Sequence, residues 1–339
     1  MRKVGACVAA TFCAAFILSW SAAISPAMAF GLRIGPFHIG VPIYLPHFRH
    51  HRLYMHADRH EVARSERAPL TSALLYPNLA LSGIFQDVFF PDYASPWPFG
   101  YERIFSTAFA RLPASEDRRM CRPSLDANAI VARLGGEIAP IADQQRSLQK
   151  LGGALGAAAG FLAKACPDDI PAQPVARLKL MESQIEELSM AVDIVRAPLQ
   201  EFEQSLTDGQ KAKLAAPASP AESDRQDRSA AIGPSCDGST AAIDRTVGQI
   251  DATVQPSGAQ RPALADVKQA FAKSAGDLDA HCPTSLAATA VGRLEAIEAR
   301  LDATWRATLS TQVALANFEA KLDDAQKDRL DQMNFVAAR

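Results

Sequence analysis

Residues Val175–Leu206 read VARLKLMESQIEELSMAVDIVRAPLQEFEQSL. The apolar positions are Val175, Leu178, Met181, Ile185, Leu188, Val192, Val195, Leu199, Phe202 and Leu206. Every gap is three or four residues, which is the spacing of one face of an α-helix. No two-residue alternation competes with it, so the segment predicts a single long amphipathic helix. Pro198 lies inside and removes one backbone donor, which predicts a bend.

The helix ends in a short polar turn, Leu206–Leu214, LTDGQKAKL, and 116 residues later Leu322–Leu330 reads LDDAQKDRL. Thr207 and Gln210 have the spacing of a capping box, with Leu206 as the apolar residue before the cap. In the second copy Leu322 precedes Asp323 and Gln326, and Asp is an equally good N-cap. Ser257 and Gln260 form a third such pair just after Pro256. At the matching place in the first copy Ile141 stands where the cap oxygen would be, so the motif reads as degenerate there.

The turns belong to a longer duplication. Residues 162–214 align with 278–330 without a gap, and 17 of the 53 positions are identical. The shared frame includes Cys166-Pro167 with Cys282-Pro283, Arg177-Leu178 with Arg293-Leu294, Glu182 with Glu298, and Phe202-Glu203 with Phe318-Glu319. A period this long is a tandem domain pair, not a solenoid. Each unit predicts three main helices and a short fourth. In the first unit these run from about Leu125 to Glu137, Asp143 to Ala165, and Val175 to Leu206, followed by the short helix. The chain therefore reads as all-α: two tandem helical-hairpin repeats after a non-regular N-terminal arm.

The segments are residues 1–29, 30–70, 71–120, the repeats 121–216 and 236–333, and a polar, Pro-containing linker over 217–235. Residues 1–29 have a basic start, an apolar run and Ala27-Met28-Ala29 before Phe30, the pattern of a secretory signal peptide. Cleavage there removes Cys7 and Cys13 and leaves Cys121, Cys166, Cys236 and Cys282. An even number of cysteines in an exported chain points to disulfides. An antiparallel pair of helices brings Cys121 near Cys166 and Cys236 near Cys282, although four cysteines admit three pairings. In the chain-entropy model each bridge is worth up to about 4 kcal/mol. No later run is long and apolar enough to span a bilayer. The expected location is the periplasm.

Residues 30–70 hold six of the seven histidines among several prolines. His56 and His60 share one face if that part is helical, and His47, His50 and His51 are near enough in sequence to join them. Imidazole suits Zn, Cu or Ni, so a metal-binding or metal-sensing arm is one rival reading; adventitious binding by an extended arm is the plainer one. Residues 71–112 are rich in aromatics, among them Phe85, Phe89, Phe90, Trp97, Phe105 and Phe109. They either pack on the helical body or dock an envelope partner, the second rival reading.

The chain has 339 residues and a formal net charge of −2, so composition implies no nucleic-acid partner. No phosphate loop, paired CxxC, HExxH or GxSxG motif occurs, and the expectation is a non-enzymatic protein without an obligatory cofactor.

LTDGQ at 206–210, ACP at 165–167, VQPSGAQRPAL at 254–264 and the long amphipathic helix together resemble the LTxxQ-motif family of Spy/CpxP-like periplasmic proteins. The resemblance spans 121–333, twice over. It implies an ATP-independent chaperone or stress-response protein that binds non-native polypeptides. Two units in one chain suggest a pseudo-dimeric monomer or a homodimer. Trp305, Phe202 and Phe318 are the aromatics that could contact a client, with the core as the alternative fate of Trp305. The chain departs from the pattern in being slightly acidic, and in having Thr304, Thr308 and Thr311 where the first unit has Leu188, Val192 and Val195.

Overall fold

The computed structural model describes residues 73–91, 101–110, 125–216, 240–282 and 287–333. Among them are ten α-helices and no strand. The all-α expectation holds. The helices are α1 Pro77–Phe89, α2 Tyr101–Ala108, α3 Ala127–Ile138, α4 Ala142–Lys164, α5 Pro174–Ser205, α6 Asp208–Ala215, α7 Thr240–Val254, α8 Arg261–Ala280, α9 Ala290–Glu319 and α10 Asp324–Asp331.

The long stripe is α5, and it runs on through Pro198. Leu178, Met181, Ile185, Leu188, Val192, Val195, Leu199 and Phe202 are all buried. The apolar stripe of α5 is too wide to be covered by one neighbour. It packs against α4 on one side and α9 on the other, and α9 in turn packs against α8. The α5–α9 pair is antiparallel: Arg196 meets Glu298 at 2.6 Å, while Glu203, nearer the end of α5, meets the first turn of α9. Glu203 is buried and accepts from the Val291 backbone N–H at 2.9 Å. A carboxylate there satisfies an orphan donor and faces the positive end of the helix dipole.

Outside this row of four, α3 lies on α4 and α7 lies on α8. Gly152 of α4 permits the first of these contacts, because a Cβ at that position would fall 2.7 Å from the Val131 side chain. Both outer helices end at a non-glycine residue in the left-handed region, Ala139 (φ 51°) and Gln255 (φ 56°), each followed by a proline. The left-handed residue turns the chain and the proline prevents the helix from continuing.

The aromatic segment packs inward. Helix α1 lies against α4, α5 and α9, and α2 against α5, α8 and α9. Phe85, Phe89, Phe105 and Phe109 are buried, and Phe105 meets Phe271 of α8 edge-on at 4.1 Å. Each large side chain buried this way stabilises the fold by about 1.5–3 kcal/mol. The described parts of 71–112 are thus core and not a free docking surface. Trp97 lies outside the described residues.

The three threonines of α9 do not make a wet seam. Thr304, Thr308 and Thr311 are fully buried. Thr304 donates to the Arg300 carbonyl and Thr308 to the Thr304 carbonyl, the usual escape for a hydroxyl inside a helix. Thr311 Oγ1 finds no hydrogen-bond partner among the described residues. Replacing Thr311 by the nearly isosteric valine, the residue at the matching position 195, should raise stability by about 1–2 kcal/mol in urea unfolding.

Candidate functional site

The two polar turns are tied to other turns of the chain by paired amides. Thr207 caps α6: its hydroxyl accepts from the Gln210 N–H at 3.3 Å, and Gln210 Oε1 accepts from the Thr207 N–H at 2.9 Å. The Gln210 amide then reaches the start of α4, where Gln144 faces it. Each amide donates to the other's oxygen at 2.9 Å. Gln144 Nε2 also donates to the Ser205 carbonyl at 2.8 Å and Gln210 Nε2 to the Ile138 carbonyl at 3.4 Å. Gln144 Oε1 accepts in addition from the Ile141 N–H at 3.0 Å.

The same pattern recurs 116 residues on, except that the acceptor at the end of the outer helix is one residue later. Gln326 closes the box with Asp323 and pairs with Gln260 at 2.8–2.9 Å. Gln260 donates to the Lys321 carbonyl and Gln326 to that of Gln255. The Gln260 oxygen accepts from the Ser257 N–H at 2.7 Å. Each clasp fastens the turn after the long helix to the turn before the preceding one, so that four helix ends are held by two side chains. Every donor and acceptor of each amide is used, which is what a buried amide requires.

Two sequence expectations change here. Ser257 is not the N-cap of α8, which begins at Arg261. Its carbonyl accepts from Gln260 and Arg261 and forms a turn, and only the glutamine half of the box is made. The first unit is also less degenerate than Ile141 suggests. Ile141 has no side-chain oxygen, but Gln144 supplies the glutamine half. Sequence reasoning misses Gln144 because the box is recognised by its cap oxygen. The 116-residue shift of Gln260 points straight at it.

Two buried arginines complete the arrangement. Arg177, in the first turn of α5, donates to the carbonyls of Pro171 and Ala172 before its own helix. It also donates to those of Thr107, Ala108 and Ala110 at the end of α2. Arg293, in the first turn of α9, donates to Ala287 before its helix, to Val88 of α1 and to Leu214 of α6. Burial pushes the pKa of Arg177 down. The carbonyls at helix ends carry partial negative charge, which offsets that cost. In the sequence these arginines stand out only as an identical pair. A charged residue beside an apolar stripe position, repeated at the period, is the available signal.

Of the suggested client contacts, Phe202 and Phe318 are core residues at 0% exposure and offer no surface. Trp305 is partly buried against the core. Among the described residues the exposed large apolar side chains are Ile141, Met190, Ile194 and Val313. Met190 and Ile194 are one turn apart on α5, beside the exposed Asp193 and Arg196. His47, His50, His51, His56 and His60 lie outside the described residues. Within the described residues no group of three His, Cys, Asp or Glu side chains is placed to hold a metal.

Glu298 is the carboxylate of α9 that meets Arg196 of α5. Burial raises its pKa, and Arg196 only partly reverses this. A carboxyl whose folded pKa is raised contributes most below the ordinary value and loses that contribution as pH rises through the folded value. Glu298→Gln should therefore shrink the loss of stability as pH rises above the ordinary carboxylate range through the raised folded value, measured as the shift in urea midpoint. An unchanged difference would place the titration elsewhere.

Residues 242–334 match the LTXXQ motif family. The matched stretch is the half containing α7 to α10, whose turn reads LDDAQ and whose Gln326 forms the second clasp. No curated protein and no solved structure gives a significant match. The glutamine of the LDDAQ turn, Gln326, supplies one side of the second clasp, and Gln260, from the turn before α8, supplies the other. No helix among the described residues is long and apolar enough to cross a membrane.

Proposed function

We propose that the protein is an exported, ATP-independent chaperone-like or stress-response protein that binds non-native polypeptides in the periplasm. The observation that carries the reading is the LTXXQ match over 242–334. It is supported by motif glutamines that serve as structural clasps, which leaves the helices as the binding surface. We also propose that 121–216 and 236–333 are two copies of one unit. The paired amides, the left-handed helix ends and an arginine contact to the carbonyl six residues before it, each repeated at a spacing of 116, support that. The bridges would be Cys121–Cys166 and Cys236–Cys282. Cys121 and Cys236 lie outside the described residues. On this reading the chain is not an enzyme and needs no cofactor.

The test is light scattering of a chemically unfolded, aggregating client with the mature protein and no nucleotide. Suppression near equimolar amounts is expected. A folded, oxidised protein that leaves aggregation unchanged would overturn the proposal. Metal titration of the mature chain would then test the histidine arm.

A further inference from the structure

The described surface offers little for a non-native segment to hold. Its four exposed large apolar side chains are Ile141 at 66%, Met190 at 43%, Ile194 at 37% and Val313 at 47%. Binding of apolar segments needs a contiguous patch. The apolar faces of α5 and α9 would provide one, and α1 and α2 lie on them. The polar ties of these two helices to Arg177 and Arg293 are of an unusual kind. Arg177 holds Thr107, Ala108 and Ala110 of the α2 end through their carbonyls, and Arg293 holds Val88 of α1 the same way. A guanidinium bonded to the last carbonyls of a helix reads its main chain and not its sequence. Each arginine stands in the first turn of its helix, and α5 and α9 are antiparallel, so the two seats lie at opposite ends of the pair.

We propose that the α5–α9 cradle is a receptor for apolar helix ends. In this proposal α1 and α2 are its resident guests, and an amphipathic segment of a non-native polypeptide competes with them for the arginine seats. The inference rests on the reading of the chain as a binder of non-native polypeptides and names the surface involved. A guest on the same chain acts at an effective concentration in the millimolar range. It therefore keeps the cradle filled until a competitor is abundant or the tether is cut.

The test uses the mature full chain with a protease site placed within residues 111–124. After cleavage, a fluorescent peptide of residues 73–110 is added and its anisotropy followed. Saturable uptake is expected, with no uptake of a scrambled peptide. Arg177→Lys and Arg293→Lys keep the charge but not the fork of donors, and together they should weaken uptake about tenfold or more. An unfolded client should displace the label. No uptake up to about 1 mM, the range a tether supplies, by a cut chain that remains helical would make α1 and α2 permanent core and overturn the inference. Loss of helical signal on cutting would do the same. Suppression of aggregation by the uncut chain without peptide uptake would leave the chaperone reading standing and move the clients to another surface. Uptake without suppression would keep the cradle as a receptor and remove the chaperone reading.

Discussion

Arg177→Ala should lower the unfolding free energy by about 3–5 kcal/mol in urea, the range for removing one partner of a buried, charge-assisted network. Arg177 is 5% exposed and donates to five carbonyls within 3.3 Å. Truncation leaves several of these acceptors buried without a donor. Lysine at this position has three donors on a single nitrogen and cannot reach both groups of carbonyls, so Arg177→Lys should recover less than half of the loss. Arg293→Ala should cost a comparable amount, because it frees Val88 of α1 and Leu214 of α6 together. A cost under about 1 kcal/mol for either alanine variant, the level of an exposed ion pair, would mean that the arginines are spectators to packing.

The second large effect belongs to the clasps. Gln326→Ala should cost about 2–4 kcal/mol, since it orphans the Asp323 N–H, the Gln255 carbonyl and the inner face of Gln260 at once. A double-mutant cycle of Gln260 and Gln326 should show strong coupling, because neither amide keeps its geometry alone. Gln326→Glu is the sharper test. The Gln260 oxygen is held toward the clasp by the Ser257 N–H, so an ionised carboxylate at position 326 would face an acceptor and the Gln255 carbonyl with no donor to offer. Its folded pKa should stand above the ordinary value near 4.3. The variant should then be most stable below that pH and lose stability as pH rises through the folded value. A flat pH response would show that the second clasp is open in solution. The same exchange at Gln210 tests the first clasp, where Gln144 takes the part of Gln260.

Much of the fold was legible because its signals are local. The stripe from Val175 to Phe202, the prolines at 140 and 256 and the Thr207–Gln210 box each depend on residues within one or two turns. The helix limits that they predict agree with α3 to α5 to within about two residues, the usual scatter at helix ends. The sequence match at a shift of 116 residues then carried the reading of 162–214 over to 278–330. What misled was also local. A serine three residues before a glutamine looks like an N-cap, yet Ser257 sits in a turn whose helix starts later. Three threonines stand where the first stripe has Leu188, Val192 and Val195, yet all three are buried and two of them bond back to their own helix.

The sequence by itself determined the helices from α3 onward but not α1 and α2, together with the period of 116 residues and the identity of the turn that recurs, because helix spacing and capping are decided between near neighbours. Only the tertiary structure decided that Gln144 answers Gln210 and Gln260 answers Gln326, and that Glu203 caps the opposite long helix. It alone placed α1 and α2 on α5 and α9, with Arg177 and Arg293 at their ends. The physical reason is the same in each case. A buried amide, carboxylate or guanidinium is satisfied by whatever donor or acceptor the packing brings within about 3 Å, and those partners are 61 to 205 residues away along the chain.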